Sequence, residues 1–148
     1  MLRPADLQDM RFLRDMLRHA YHWRMAQDPD LPVFRYVQNW GRRGDAGVVA
    51  FDGPSVYGAA WYRLFPASAP GFGFVDEETP ELTIAVVPSK RGRGTGAELL
   101  EALLAQARAD GFSQISLSAE PGQTGFYEKH GFREVRREER TVTMVADL

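Results

Sequence analysis

Apolar residues recur at helical spacing in the first part of the chain. Over residues 5–21 they return every three or four positions, behind Asp6, a residue type that caps helix starts. The stripe consists of Leu7, Met10, Leu13, Leu17 and Ala20. We therefore predict a helix over residues 5–21, and a second helix from about Pro32 to Trp40 that ends at Gly41.

Strand patterns follow in the middle of the chain. Residues 46–65 hold two apolar runs around a turn at 52–55, which predicts two paired strands. The second run is apolar on both faces and should lie centrally in a sheet. Further strands are predicted at 81–87 and 114–119. Residues 66–79 form a long loop rich in Pro and Gly, which is typical of a binding loop or lid, or of a plain connector.

A second strong helix pattern covers residues 95–110, and Gly111 with Phe112 forms a typical C-terminal cap. Its apolar face consists of Leu99, Leu100, Leu103, Leu104 and Ala107. A short helix ended by Gly131 and one or two strands ending at Val142 to Val145 complete the order. The strand–helix–strand segment over 81–119 predicts a right-handed crossover, and therefore an α/β fold.

Composition and charge narrow the class of protein. The 148 residues are most simply one domain over residues 1–148, with the 44% apolar content of ordinary globular proteins. A net charge of −2 does not favour a nucleic-acid partner. The absence of cysteine excludes disulfides, thiolate metal sites and a cysteine nucleophile. No long apolar run or apolar leader occurs, so we expect a cytoplasmic protein without a membrane partner.

The connection KRGRGTG at residues 90–96 joins a predicted strand to a predicted helix. Its alternating glycines let the backbone curl closely around a ligand, and its three cations favour an anion. Free N–H groups and the dipole at a helix N-terminus add to that preference. We interpret the segment as a phosphate-binding loop rather than as a solvated basic turn.

Two common phosphate-binding motifs fit this connection less well. The Walker A string G-x-x-x-x-G-K-[ST] does not occur. The dinucleotide motif G-x-G-x-x-[GA] is matched in part by Gly92, Gly94 and Ala97, and Glu120 ends the next strand, so a dinucleotide-binding enzyme stays an alternative. However, four residues separate the strand from Gly92, and only 28 residues follow Glu120, which is too few for that fold.

The segment VVPSKRGRGTGAELLEALLAQA, residues 86–107, resembles motif A of the GNAT superfamily of acyl-CoA-dependent N-acyltransferases. The family signature [Q/R]-x-x-G-x-[G/A] appears as residues 91–96. GFYEKHGF at 125–132 resembles motif B, and the order of elements matches over the whole chain. Many members carry Asn where Glu120 stands and Ala where Gln123 stands. The resemblance implies a GNAT-like α/β fold with a mixed central sheet and helices on both faces.

The resemblance also implies acetyl-CoA as cosubstrate, with its pantetheine arm between the two splayed strands of the crossover. The loop amides would hold the pyrophosphate, Lys90 or Arg93 would meet the 3′-phosphate, and the N–H of Val86 or Val87 would hold the thioester carbonyl. The residues implied in cofactor binding are Val86, Val87, Lys90, Arg91, Gly92, Arg93, Gly94, Thr95, Gly96, Ala97, Glu120 and Tyr127.

Acyl transfer to an amine needs two proton movements. Tyr127 stands at the motif B position of the residue that protonates the leaving thiolate, and a phenol pKa near ~10 suits that role. The amine must also lose a proton, directly or through water. We predict Glu81 as its base, on the strand face opposite Leu82. Glu120 and Glu78 are the reserve candidates.

Two histidines on the first helix are spaced for metal binding. His19 and His22 lie at positions i and i+3, but no third ligand is apparent, so we interpret them as surface or structural residues and predict no metal.

The predicted function is N-acetyl transfer to a primary amine of a small molecule or peptide, by direct attack in a ternary complex. A catalytically silent acyl-CoA sensor is the main alternative. The acceptor, the acyl preference and a homodimer stay open.

Overall fold

The structure is a computed structural model that describes residues 1–25 and 33–148. The strands are β1 (Leu2–Pro4), β2 (Ala46–Asp52), β3 (Ser55–Arg63), β4 (Glu81–Val86), β5 (Gln114–Ala119), β6 (Phe132–Arg137) and β7 (Val142–Asp147). The helices are α1 (Met10–Met25), α2 (Thr95–Ala109) and α3 (Thr124–Glu128). None of the helices in these ranges is long and apolar enough to span a membrane.

The strands form one sheet of seven in the order β1-β2-β3-β4-β5-β7-β6. All neighbours are antiparallel except β4 and β5, which are parallel. These two pair only where Glu81 lies opposite Ser116, whereas β4 pairs with β3 along its whole length. The sheet is therefore open between β4 and β5 towards their carboxyl ends, beside the connection that leads into α2.

The sheet is covered by a helix on each face, which confirms the predicted mixed sheet with helices on both sides. The predicted apolar face of α2 is buried on one side, with Leu99, Leu100, Leu103 and Ala107 inaccessible to solvent. On the other side α1 packs over β3 and β4 through Leu13, Met16, Leu17 and Tyr21. Strand alternation sends Leu82 to the α2 side and Glu81 to the α1 side, as predicted.

The N-terminal region differs from the prediction at its boundaries. Asp6 caps the first turn as expected, but that turn is a 3-10 helix at Leu7–Asp9, and α1 continues four residues beyond the predicted end at 21. Tyr21 departs from helical geometry with φ −122° and ψ 18°. Strand β1 was not predicted, because three residues are too few for alternation to be visible.

The prediction of a regular second helix from about Pro32 to Trp40 was wrong. Pro32 lies outside the described residues, and the described part forms a 3-10 helix at Val33–Tyr36. Its carbonyls are used elsewhere: Trp61 Nε1 donates to the Tyr36 carbonyl at 2.9 Å, and Arg63 donates to the carbonyl of Arg35 at 3.0 Å. Because buried side chains of β3 take these acceptors, the segment does not propagate as an α-helix.

Candidate active site

A cleft of about 560 Å³ lies at the open end of the β4–β5 gap. Residues of the glycine-rich loop at 90–96 and of α3 line it on one side, and residues of α1 line the other. Of the predicted cofactor residues, those that line it are Val86, Lys90, Arg91, Gly92, Gly94, Thr95, Gly96, Ala97, Glu120 and Tyr127. Val87 and Arg93 do not line it. The glycine loop and the motif B tyrosine therefore share one cleft.

The glycine-rich loop has the backbone shape of an anion site. Gly92 and Gly94 have φ values of +79° and +80°, which side-chain-bearing residues rarely adopt. Gly94 caps α2, whose first N–H groups have no partner within the helix. A Cβ added at either glycine would meet no atom within 4 Å, so the space in front of the loop is open.

The cations of the loop have distinct positions. Arg91 Nε donates to the Val86 carbonyl at 2.9 Å, which ties this side chain to the end of β4. Lys90 lines the cleft, with its ammonium 5.9 Å from the centre of the Tyr57 ring. Arg93 is exposed and does not line the cleft. Of the two cations considered for the 3′-phosphate, Lys90 is the one on the cleft.

The end of β4 offers one amide towards the gap. The Val87 N–H donates to the Tyr57 carbonyl at 2.8 Å, so it is used within the sheet. Hydrogen-bonded and non-bonded pairs alternate along an antiparallel ladder, so the Val86 N–H faces away from β3, towards β5. Between the two predicted donors to a thioester carbonyl, the register favours Val86.

Tyr127 lies on α3 between the rings of Phe126 and Phe132, at centroid distances of 5.1 and 6.0 Å. It lines the cleft and is half-buried. Desolvation raises the pKa of its hydroxyl to about 12, with no hydrogen bond to a described residue contributing to that rise. The hydroxyl is therefore protonated at neutral pH and can donate a proton.

A small cavity of about 20 Å³ continues from the cleft into the β4–β5 gap. It shares Tyr127 and Ser118 with the cleft and adds Tyr21 and Thr83. The Tyr21 hydroxyl lies 3.0 Å from Thr83 Oγ1, whereas the buried Ser118 Oγ has no hydrogen-bond partner among the described residues. Buried hydroxyls without a partner are uncommon, and Ser118 is one of the residues that line this cavity.

The structure places Glu81 behind the cleft rather than in it. Its side chain is buried on the α1 face, accepts a hydrogen bond from the Tyr36 hydroxyl and a second one from the Gly73 N–H at 3.1 Å. The long loop of residues 66–79 packs directly against the Glu81 carboxylate, since a Cβ on Gly71 would be 2.2 Å from Glu81 Oε1. Of the reserve candidates, Glu120 lines the cleft and Glu78 is exposed on the loop.

Glu81 makes native stability depend on pH. Burial raises its pKa from 4.5 to about 7, against the opposing hydrogen bonds from Tyr36 and Gly73 and the charges of Arg24 and Arg136. The native state thus holds this proton more tightly than the unfolded state does. The associated stability is complete below pH 4.5 and is lost as the pH rises through about 7.

We therefore expect the free energy of unfolding of the wild type to fall between about pH 5 and about pH 8. This fall should exceed the fall in Glu81→Gln by up to roughly 3 kcal/mol. Urea unfolding curves at both pH values measure this difference. Equal losses in the two proteins would show that another group titrates.

Sequence reasoning did not assign the α1 residues of the cleft wall. His19, His22 and Trp23 line it from α1, at a spacing of three and four residues that puts them on one helix face. That spacing was visible in the sequence, but no local sequence pattern showed which face of α1 packs against β4. The described residues hold no group of His, Asp and Glu suited to a metal. Trp40, at the end of the second predicted helix, is buried in the core.

Comparison with known proteins agrees with this geometry. A family model described as the acetyltransferase (GNAT) family matches residues 10–132. A 49-residue stretch, 33% of this chain, is 45% identical to serotonin N-acetyltransferase 2, chloroplastic, of Oryza sativa subsp. japonica, and covers 24% of that enzyme. The chain therefore spans well under two thirds of that relative.

Two solved structures share the fold over the whole chain. The first is yncA, a putative acetyltransferase from Salmonella typhimurium, solved with its cofactor acetyl-CoA; it has a TM-score of 0.73 at 20% identity, over 100% of this chain and 93% of its own. The second is a GNAT superfamily phosphinothricin acetyltransferase from Sinorhizobium meliloti in complex with AcCoA. Its TM-score is 0.69 at 23% identity, over 100% of this chain and 88% of its own.

Proposed function

The chain belongs to the acetyltransferase (GNAT) family, and from this premise we propose that it moves the acetyl group of acetyl-CoA directly to a primary amine in a ternary complex. The observation that carries the proposal is the single cleft that joins the phosphate loop at one end to Tyr127 at the other. The acetyl-CoA bound by two proteins of the same fold supports this cosubstrate.

Acetyl-CoA would lie along the β4–β5 gap. The amides at the start of α2 would take the pyrophosphate, because Gly92 and Gly94 leave open space in front of them. Lys90 at the cleft is the cation for the 3′-phosphate. The thioester carbonyl would accept from the Val86 N–H, and one such donor is worth roughly 10²–10³ in rate.

Tyr127 would protonate the departing thiolate. Its raised pKa keeps the proton on the hydroxyl over the neutral range, so the group acts as acid without prior activation. No covalent enzyme intermediate is needed, because the amine attacks the carbonyl carbon while both substrates are bound.

The acceptor is a small-molecule or peptide amine whose nitrogen must be neutral when it attacks the thioester. An alkylammonium with a pKa near ~10.4 needs about 4 kcal/mol to lose its proton at neutral pH. Glu81 is the carboxylate we propose to take that proton, although its contacts place it one layer behind the cleft. A screen for thiol release from acetyl-CoA against pooled amines tests the function and identifies the acceptor.

Acetyl-CoA should stabilise the free protein against heat, whereas NAD should not. At about 100 times its Kd a ligand adds about 2.7 kcal/mol, which for a domain of this size is roughly 5–10 °C in Tm. Thermal unfolding with each compound measures the shift. Stabilisation by NAD alone would reject the proposed cosubstrate and favour a dinucleotide-binding enzyme.

A further inference from the structure

The last turn of α1 is separated from the rest of the helix by a kink. Tyr21 has φ −122° and ψ 18°, and the helix resumes behind it over residues 22–25. A helix keeps one direction only while successive residues keep helical φ and ψ. The part of α1 before Tyr21 therefore does not by itself fix the orientation of this last turn.

The last turn of α1 forms part of the cleft wall. His22 and Trp23 line the cleft, and Trp23 is half-buried there. The Trp23 indole N–H donates to the Ala20 carbonyl at 3.2 Å, which keeps the indole against its own end of the helix. A change in the orientation of the turn would therefore move an aromatic surface of the cleft.

Arg24 joins this turn to two segments that are distant in sequence. Its guanidinium carbon lies 4.2 Å from the centre of the Phe72 ring, in the long loop of residues 66–79. Its Nη1 donates to Thr141 Oγ1 at 2.8 Å, one residue before β7. Thr141 is buried and the other two side chains are half-buried, and contacts of a cation with a ring strengthen as water is excluded.

The Phe72 ring is itself held in place. The Phe72 N–H donates to the Tyr36 hydroxyl oxygen at 2.7 Å. Its ring lies 5.6 Å from the centroid of the Tyr36 ring and 5.6 Å from that of the Tyr21 ring, distances typical of attractive aromatic pairs. Phe72 thus contacts α1 at the kink through Tyr21 and beyond the kink through Arg24. The loop connects the two sides of the kink.

We propose that Arg24 is a positioning residue that orients the α1 wall of the cleft for the acceptor amine. This inference rests on the proposed function, in which the glycine-rich loop and Tyr127 hold acetyl-CoA, so that the α1 wall is left to the acceptor. Arg24 does not line the cleft. It acts through Trp23 and His22 rather than by touching either substrate.

Kinetics of Arg24→Met test this role, because Met keeps an unbranched side chain and lacks the guanidinium. The KM for the amine that the thiol-release screen returns should rise by roughly 5–20-fold, while kcat and the Kd for acetyl-CoA stay within about twofold. Arg24→Lys keeps a cation and a donor, so its KM should lie between those of the wild type and Arg24→Met.

Arg14→Met is the matched control. Arg14 also belongs to α1, and its guanidinium carbon lies 5.0 Å from the centre of an aromatic ring, that of Phe34. However, it precedes the kink and does not line the cleft. This variant should keep the wild-type KM. Equal rises in KM for Arg14→Met and Arg24→Met would overturn the proposal, as would a weaker Kd for acetyl-CoA with an unchanged acceptor KM in Arg24→Met.

Tryptophan fluorescence tests the same role without an acceptor. Trp23 lies on the cleft, whereas Trp40 and Trp61 are buried in the core, so acrylamide should quench Trp23 preferentially. Arg24→Met should raise the quenching constant and Arg14→Met should not.

The same quenching in Arg24→Met and in the wild type would overturn the positioning role. Trp23→Phe should remove the difference between the variants, which assigns the signal to that indole. Failure of every amine in the screen would instead refute the proposed function, and the quenching would still decide whether Arg24 orients the cleft wall.

Discussion

Tyr127→Phe should lower the turnover number by about 10²–10⁴-fold, the usual contribution of general acid catalysis, or roughly 3–5 kcal/mol of barrier. The substitution removes one hydroxyl and keeps the ring between Phe126 and Phe132. No hydrogen bond to a described residue contributes to the raised pKa of that hydroxyl, so its removal leaves no such partner orphaned. Steady-state kinetics with acetyl-CoA and the acceptor amine measure the effect.

Stability and acetyl-CoA affinity should stay near wild type in this variant, and the high-pH limb of the rate profile should flatten. Tyr62→Phe serves as the comparison, since it also removes a tyrosine hydroxyl but lies outside the cleft. Turnover within a few-fold of wild type would mean that water or another group protonates the thiolate. Lost acetyl-CoA binding would mean that the hydroxyl holds the cosubstrate, which would favour a silent acyl-CoA sensor.

Gly94→Asp should weaken acetyl-CoA binding by about a hundredfold or more, because it sets a carboxylate among amides that would otherwise meet the pyrophosphate. A loss of that size corresponds to about 2.7 kcal/mol. Space does not limit the substitution, since an added Cβ meets no atom within 4 Å, but the φ of +80° adds backbone strain. Titration calorimetry with acetyl-CoA measures the affinity directly.

Gly111→Asp is the matched control for that strain. Gly111 has a φ of +88° and equally open surroundings, but it follows the far end of α2. It should lose a similar amount of stability and keep its acetyl-CoA affinity. If both variants bind acetyl-CoA as wild type does, the loop is only a turn, and the cosubstrate lies elsewhere.

Local patterns predicted much of the fold correctly. Helix α2 and its apolar face, strand β5 and the hairpin of β2 and β3 all appear where the spacing of apolar residues placed them. Such elements carry their signal within ten to fifteen residues, because one buried face imposes its period on the sequence. The segment at 33–40 failed for the opposite reason: distant side chains of β3 take its carbonyls.

The glycine-rich loop at residues 90–96 was also visible in the sequence. Two glycines with positive φ at the start of a helix form a local structure. Tyr127 was identified from its position in motif B, which is also a local sequence pattern. The loop and Tyr127 line the same cleft because β4 and β5 separate beyond their single residue pair.

The sequence by itself therefore determined the elements, the glycine loop and the candidate acid, since each depends on residues close together in the chain. The tertiary structure alone decided that Val86 rather than Val87 faces the gap, and that Glu81 lies behind the cleft under Tyr36. Hydrogen-bond register and burial depend on which strand or helix lies alongside. Those contacts join residues far apart in sequence, so the local periodicity of apolar residues does not predict them.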